Sequence, residues 1–250
     1  MQFAVGDVVI RVNVPDRAAL LSAVGRRLAA GEGFALATLN LDHLVKLRGD
    51  AGFRAAYAAQ DLVTADGNPV VWLSRVAGRP VSLVPGADMV VPLARVAAEA
   101  GVVVALVGGR AEVLETAAER LAAEVPGLRV VCRIAPPMGF DPASPSAEAV
   151  LREVAASGAG LCFLALGAPK QEVLAARGRV IAPGVGFAGV GAGIDFIAGA
   201  QVRAPGWVRA IAMEWLWRAA SDPRRLAGRY WRSGLALPGL WRQARRLRNG

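Results

Sequence analysis

The chain has a single histidine and two cysteines in 250 residues. With so few soft donors, no Cys/His/carboxylate cluster has the spacing of a zinc site. His43, early in an expected helix, reads as structural. Cys132 and Cys162 each stand in an apolar, strand-like run, so both are expected as buried free thiols in a reducing compartment. The opening run Met1-Gln2-Phe3-Ala4-Val5-Gly6-Asp7 lacks the basic stretch and apolar core of a secretory signal, so a cytoplasmic location is expected. A long apolar span is missing as well. The most membrane-like window, residues 180–202, carries Asp195, Pro183 and six glycines, which suits a buried strand with loops better than a spanning helix. The dinucleotide fingerprint G-x-G-x-x-G is absent. Gly108-Gly109-Arg110-Ala111-Glu112 has the wrong spacing, and Gly191-Ala192-Gly193-Ile194-Asp195 lacks the third glycine, which disfavours a nicotinamide enzyme.

What is present is an apolar body and a basic tail. Hydrophobic residues make up 54% of the chain, enough for one large buried core. The net charge of +9 lies entirely in residues 201–250, where eleven arginines face only Glu214 and Asp222. Five of the six tryptophans (207, 215, 217, 231 and 241) share that segment. Tryptophan suits a membrane's headgroup level, with its ring apolar and its N–H wet. Arginine and tryptophan together predict a helix lying in an anionic interface, against the plainer reading of surface helices with solvated arginines. Association into a homo-oligomer would hide the tail's apolar face.

Along the body, apolar strands alternate with helices. Asp16 caps a helix ending near Gly31, and a strand follows at 34–37. A helix at 41–60 leads to a strand at 61–64 and the loop 65–69, where Pro69 suits the first turn of the next helix. Asp88 is expected to cap a helix to Ala100; strands follow at 102–107, 128–131 and 161–166, with helices at 110–124, around 147–156 and from Pro169. Continuous apolar strands separated by helices predict a mainly parallel sheet covered on both faces, an α/β body over residues 1–200. From 201 to 250, Arg/Trp-rich helices broken by Pro205, Pro223 and Pro238 form a separate appendage.

In such sheets, ligands bind beyond the carboxyl ends of the strands. Several polar loops fall there. Thr38-Leu39-Asn40 follows one strand, and Asn40 reads equally as a helix cap. Ala65-Asp66-Gly67 places a carboxylate after the next, although an Asp-Gly pair is also an ordinary turn. Gly167-Ala168-Pro169-Lys170-Gln171-Glu172 opens a helix whose N–H groups suit an anion or sugar hydroxyl; in the alternative, Lys170 and Glu172 are simply solvated. Gly108-Gly109 could let backbone approach a phosphate. No acidic D-x-D pair occurs, so a departing diphosphate would need arginine, lysine or helix N-termini for stabilisation.

Taken in order, these pieces resemble the WecG/TagA/CpsF glycosyltransferases from about Asp16 to Tyr230. Besides the loops already given, the resemblance rests on Gly86-Ala87-Asp88, Val107-Gly108-Gly109, Pro136-Pro137-Met138-Gly139-Phe140, Gly191-Ala192-Gly193-Ile194-Asp195, Arg203-Ala204-Pro205 and Glu214-Trp215-Leu216. It implies a Rossmann-like α/β body of the GT-E type with a membrane-meeting appendage. The implied reaction is an inverting, metal-independent transfer from a UDP-sugar to a polyprenyl-diphosphate-linked sugar on the cytoplasmic membrane face, without a cofactor. By resemblance Asp66 is the base, and Thr38, Asn40 and Gln171 line the sugar pocket, while Lys170, Gly108, Gly109, Asp195 and Arg203 are further substrate-binding candidates. Appendage arginines would complete the site, with Arg218, Arg225 and Arg229 the candidates. One position departs from the pattern. The family's usual arginine before V-x-G-x-D is Leu83 here, and Arg79 or Arg75 is the nearby cation that could replace it. The rival reading from another class, a non-enzymatic nucleic-acid-binding protein, accounts for the basic tail but leaves the ordered loops of the neutral body unused.

Overall fold

The computed structural model describes residues 1–206, 208, 217 and 223–249. Six strands form an all-parallel sheet: β3 (Phe34–Leu39), β4 (Leu62–Ala65), β5 (Val104–Gly108), β6 (Val130–Ile134), β7 (Leu161–Ala165) and β8 (Gly186–Gly189). Their order is β4-β3-β8-β7-β5-β6, so the chain leaves β3 toward one edge and β5 toward the other. This is the Rossmann-like α/β arrangement expected from the alternating pattern. Preceding the sheet, β1 (Gln2–Val5) and β2 (Val8–Arg11) pair antiparallel around Gly6, whose φ of 60° fits a two-residue turn.

Side chains alternate across the strands and so serve two cores. Leu161 and Phe163 pack with α1 (Arg17–Ala29), α5 (Gly86–Glu99) and α6 (Ala111–Glu124) on one face. Cys162 and Leu164 meet α7 (Pro145–Ala156) and α8 (Lys170–Ile181) on the other. Both cysteines are buried and free. A third cluster joins the hairpin, α2 (Leu41–Gly49), α3 (Ala51–Ala58) and α4 (Asn68–Val76) to Ala37, Leu39 and Val63. The edge strand β4 is covered by residues 13–14. Asn13 accepts from the Val63 amide at 2.8 Å and donates to the Asp61 carbonyl at 2.8 Å, and the Val14 amide donates to the Val63 carbonyl at 3.2 Å.

Three expectations need correction. The helix expected at 41–60 is two, because Asp50 takes an extended conformation and its carboxylate accepts the Phe53 amide at 2.8 Å, capping α3. Asp88 does not cap α5. It lies in the first turn, where it pairs with Arg203, and Pro85 holds the cap position. Pro238 does not break the last helix: α10 (Pro223–Asn249) runs through it, whereas Pro223 starts it. Ala236, Leu240 and Ala244 of α10, four residues apart, are buried in the third cluster, and Gln243 donates to the Ala4 carbonyl at 3.0 Å. Among the described residues no helix is long and apolar enough to cross a membrane.

Candidate active site at the carboxyl rim of the sheet

The ends of β3, β4, β5, β7 and β8 open on one rim, and most of the residues singled out in the sequence stand on it. Asn40 follows β3 and caps α2, its Oδ1 accepting from the His43 amide at 3.0 Å. Asp66 follows β4, the next strand over, with its own amide donating to the Leu39 carbonyl at 2.8 Å. Gly67 then turns with φ of 94°, and a β-carbon there would stand 3.9 Å from Cβ of Asn40. The Asn40 and Asp66 loops are therefore in contact. Thr38 is buried beneath them against Gly86, the first residue of α5. A β-carbon on Gly86 would lie 3.3 Å from Oγ1 of Thr38 and 2.9 Å from the Gly189 carbonyl, which is why a glycine stands there.

A network that sequence reasoning missed lies below this loop pair. The Oδ1 bond fixes the Asn40 amide so that Nδ2 faces His43 Nε2 at 3.4 Å. Nε2 is then the acceptor and the proton sits on Nδ1, which donates to the buried Tyr57 hydroxyl at 3.2 Å. Burial, and then the charges of Glu172 and Asp66, push the Tyr57 hydroxyl well above the usual phenol range. His43 thus has a structural place, as expected, but one that ties the rim to the core.

The start of α8 is the larger departure. Lys170 is partly exposed, but Gln171 and Glu172 are turned inward, 3% and 1% exposed. Gln171 accepts the Gly191 amide at 3.2 Å through Oε1 and donates to Glu172 Oε1 at 3.0 Å through Nε2. The solvated reading of Glu172 is wrong because Gln171, Leu174, Ala175 and Gly178 form the buried stripe of α8, with Glu172 at its margin. The spacing of those four residues was the available signal. Oε2 of Glu172 has no hydrogen-bond partner, and burial pushes its carboxyl up to about 7, against the bond from Gln171 and the charge of Lys46.

That shift has a measurable consequence for stability. With a folded-state value of about 7 and an ordinary value of 4.5, the folded chain binds the extra proton between those pH values. The resulting stability is fully present below pH 4.5 and is lost as pH rises through about 7, on the order of 3 kcal/mol in all. Thermal unfolding from pH 5 to 8 is expected to show this fall, and Glu172→Gln, neutral throughout, is expected to flatten it. Parallel curves for the two proteins would contradict the assignment.

The far side of the rim is built around β5. Gly108 has φ of 118°, and a β-carbon on it would meet the Ala165 carbonyl at 2.5 Å, so sheet packing alone accounts for this glycine. Gly109 is exposed, with φ of 73°, and a β-carbon on it would meet only Val113, at 4.0 Å. Asp195, in α9 (Gly193–Ala198), accepts from Gln201 Nε2 at 3.0 Å; burial raises its carboxyl, with Arg110 opposing. Arg203 pairs with Asp88 and lies over the Phe196 ring, 5.5 Å from its centroid. Arg225 and Arg229 belong to the first two turns of α10. Arg218 lies outside the described residues. Leu83, 40% exposed, bridges Ala65 and so stands directly beside Asp66, while Arg75 and Arg79 lie at and beyond the last turn of α4, away from its rim-facing start. Among the described residues no group of three or more His, Cys, Asp or Glu could hold a metal ion.

Residues 7–250 match the family model described as "Glycosyl transferase WecG/TagA/CpsF family". The match covers nearly the whole chain, which assigns an enzyme and sets aside both the nucleic-acid and the oxidoreductase readings. The chain belongs to the WecG/TagA/CpsF glycosyltransferases, enzymes of cell-surface polysaccharide synthesis.

Proposed function

We propose that this glycosyltransferase moves a hexose or N-acetylhexosamine, such as N-acetylmannosamine, its uronic acid or glucose, from a UDP-sugar to a polyprenyl-diphosphate-linked sugar. The reaction is inverting and metal-independent, and takes place on the cytoplasmic face of the membrane, where the chain is peripheral. The observation that carries this reading is the contact between the Asn40 and Asp66 loops, with Thr38 buried beneath them and Gln171 buried at the end of β8, which brings a carboxylate-bearing loop and polar side chains to one rim. In the step itself the acceptor oxygen attacks the anomeric carbon from the face opposite UDP. The carbon–oxygen bond to the β-phosphate breaks with its electron pair going to UDP, and Asp66 takes the hydroxyl proton.

Support for the diphosphate end comes from the helix starts. α4, α5, α6, α8 and α9 all begin without a side-chain cap, and each follows the carboxyl end of a strand or, for α5, the Leu83 bridge beside β4. Their first amides are suited to anions, with exposed Gly109 and Arg110 beside the α6 start. For the lipid end, Leu83, Met138 and Val202 are exposed apolar side chains on segments that follow this rim, and α10 adds exposed Leu235 and Trp241 among arginines. Residues 201–250 act in this reading as the membrane-meeting appendage, and its arginines, with Arg218, Arg225 and Arg229 as the candidates, supply the positive charge for the diphosphates. Transfer of labelled sugar to a short polyprenyl-diphosphate-linked acceptor, with the product's anomeric configuration read by NMR, tests the proposal. An inverted linkage formed in EDTA is expected. Retention of configuration, or a strict metal requirement, would refute it.

A further inference from the structure

Glu172 is a charged side chain that the reaction as written does not use, yet it is buried beneath the rim where a carboxylate is costly. Its surroundings are specific. The backbone carbonyl of Glu172 accepts Gln60 Nε2 at 3.0 Å, which binds the first turn of α8 to α3. Its Oε1 accepts Gln171 Nε2 at 3.0 Å, and Gln171 Oε1 in turn accepts the Gly191 amide at 3.2 Å. Gln171 is wedged in place, since a β-carbon on Gly189 would come within 3.0 Å of its Nε2. A carboxamide held at both ends cannot rotate or pivot. Held only at Gly191, it keeps the right atom forward but loses the second bond that sets its plane.

We propose that Glu172 is a positioning residue: its carboxyl oxygen fixes the Gln171 amide, which fixes the turn at Gly191 on the donor side of the site. Gly191 lies in the left-handed region, with φ of 54°, so the turn that follows β8 and leads into Gly193 and Asp195 depends on being held from below. The relevance to the donor rests on the glycosyl-transfer reading above; the positioning itself does not.

Two variants separate an acceptor from mere bulk. Glu172→Met keeps similar volume and removes the acceptor, whereas Glu172→Gln keeps a carbonyl oxygen for Gln171 Nε2. Hydrogen exchange at the Gly191 amide, followed by NMR, reads the positioning without any substrate. UDP-sugar KM and kcat read its consequence. In Glu172→Met, Gly191 exchange is expected to quicken about tenfold, in line with loss of one supporting hydrogen bond. Donor KM is expected to rise about tenfold with kcat changed less than threefold, which corresponds to lost ground-state binding. Glu172→Gln is expected to match the wild type in both. Unchanged exchange in Glu172→Met, or a Glu172→Gln variant as impaired as Glu172→Met, would overturn the proposal. Faster exchange with an unchanged KM would overturn its link to the donor. Should the wild type turn over no UDP-sugar, the exchange arm alone still decides the positioning role, and the failure belongs to the reaction.

Discussion

Asp66→Asn is expected to lower turnover by about 10²–10⁴-fold, the usual worth of a positioned base, while the protein still folds. Two backbone features of this loop do not depend on the carboxylate. The Asp66 amide donates to the Leu39 carbonyl at 2.8 Å, and Gly67 supplies the turn with φ of 94°. Asparagine has the same shape, preserves both, and cannot take up the acceptor's proton. Asp195→Asn is the control, because that carboxylate accepts from Gln201 at 3.0 Å and stands in α9, after β8 rather than β4; a smaller loss is expected there. Initial rates with matched unfolding curves check both. An Asp66→Asn enzyme as fast as the wild type would remove the proposed base.

Replacing Arg242, Arg245 and Arg246 together by glutamine is expected to weaken binding to anionic vesicles by about a hundredfold. Each basic residue near such a surface contributes ~1 kcal/mol, and three give about 3 kcal/mol. These residues share one face by their spacing of three and four, and all are exposed. The opposite stripe, Ala236, Leu240 and Ala244, is buried against α2 and α4, so the arginine face points away from the body. Truncation at residue 200 is a poorer test, because it would also strip the helix that covers this apolar surface. Sedimentation with anionic and neutral vesicles at low and high salt distinguishes the outcomes. Binding unaffected by the substitutions would contradict a membrane role for this face.

The sequence was most informative where structure is local. Apolar strands such as Leu161–Ala165 and caps such as Asp16, which accepts the Ala19 amide at 2.8 Å, could be read directly. So could the loops of the rim, because the residues after consecutive strands of a parallel sheet share one edge. Features set by distant partners could not. Asp88 resembles a cap until Arg203, 115 residues later, claims it. Glu172 looks like a solvated helix residue, but Gln60, 112 residues away, and the α3 surface enclose it. Asp50 divides a helix whose apolar spacing runs on without a break, since its capping competes with helix continuation and wins beside Gly49. The hairpin at the N-terminus leaves little signal although Phe3, Val5 and Ile10 alternate inward, because the pattern is short and has one exposed face.

Release of UDP from a panel of UDP-sugars, with and without a short polyprenyl-diphosphate-linked sugar, in EDTA, tests the central claim most directly when wild type and Asp66→Asn are compared. Release is expected from at least one donor, dependent on the acceptor, unaffected by EDTA and lower by about 10²–10⁴-fold in the variant. Release that ignores the acceptor, or that is as fast in Asp66→Asn as in the wild type, would contradict it.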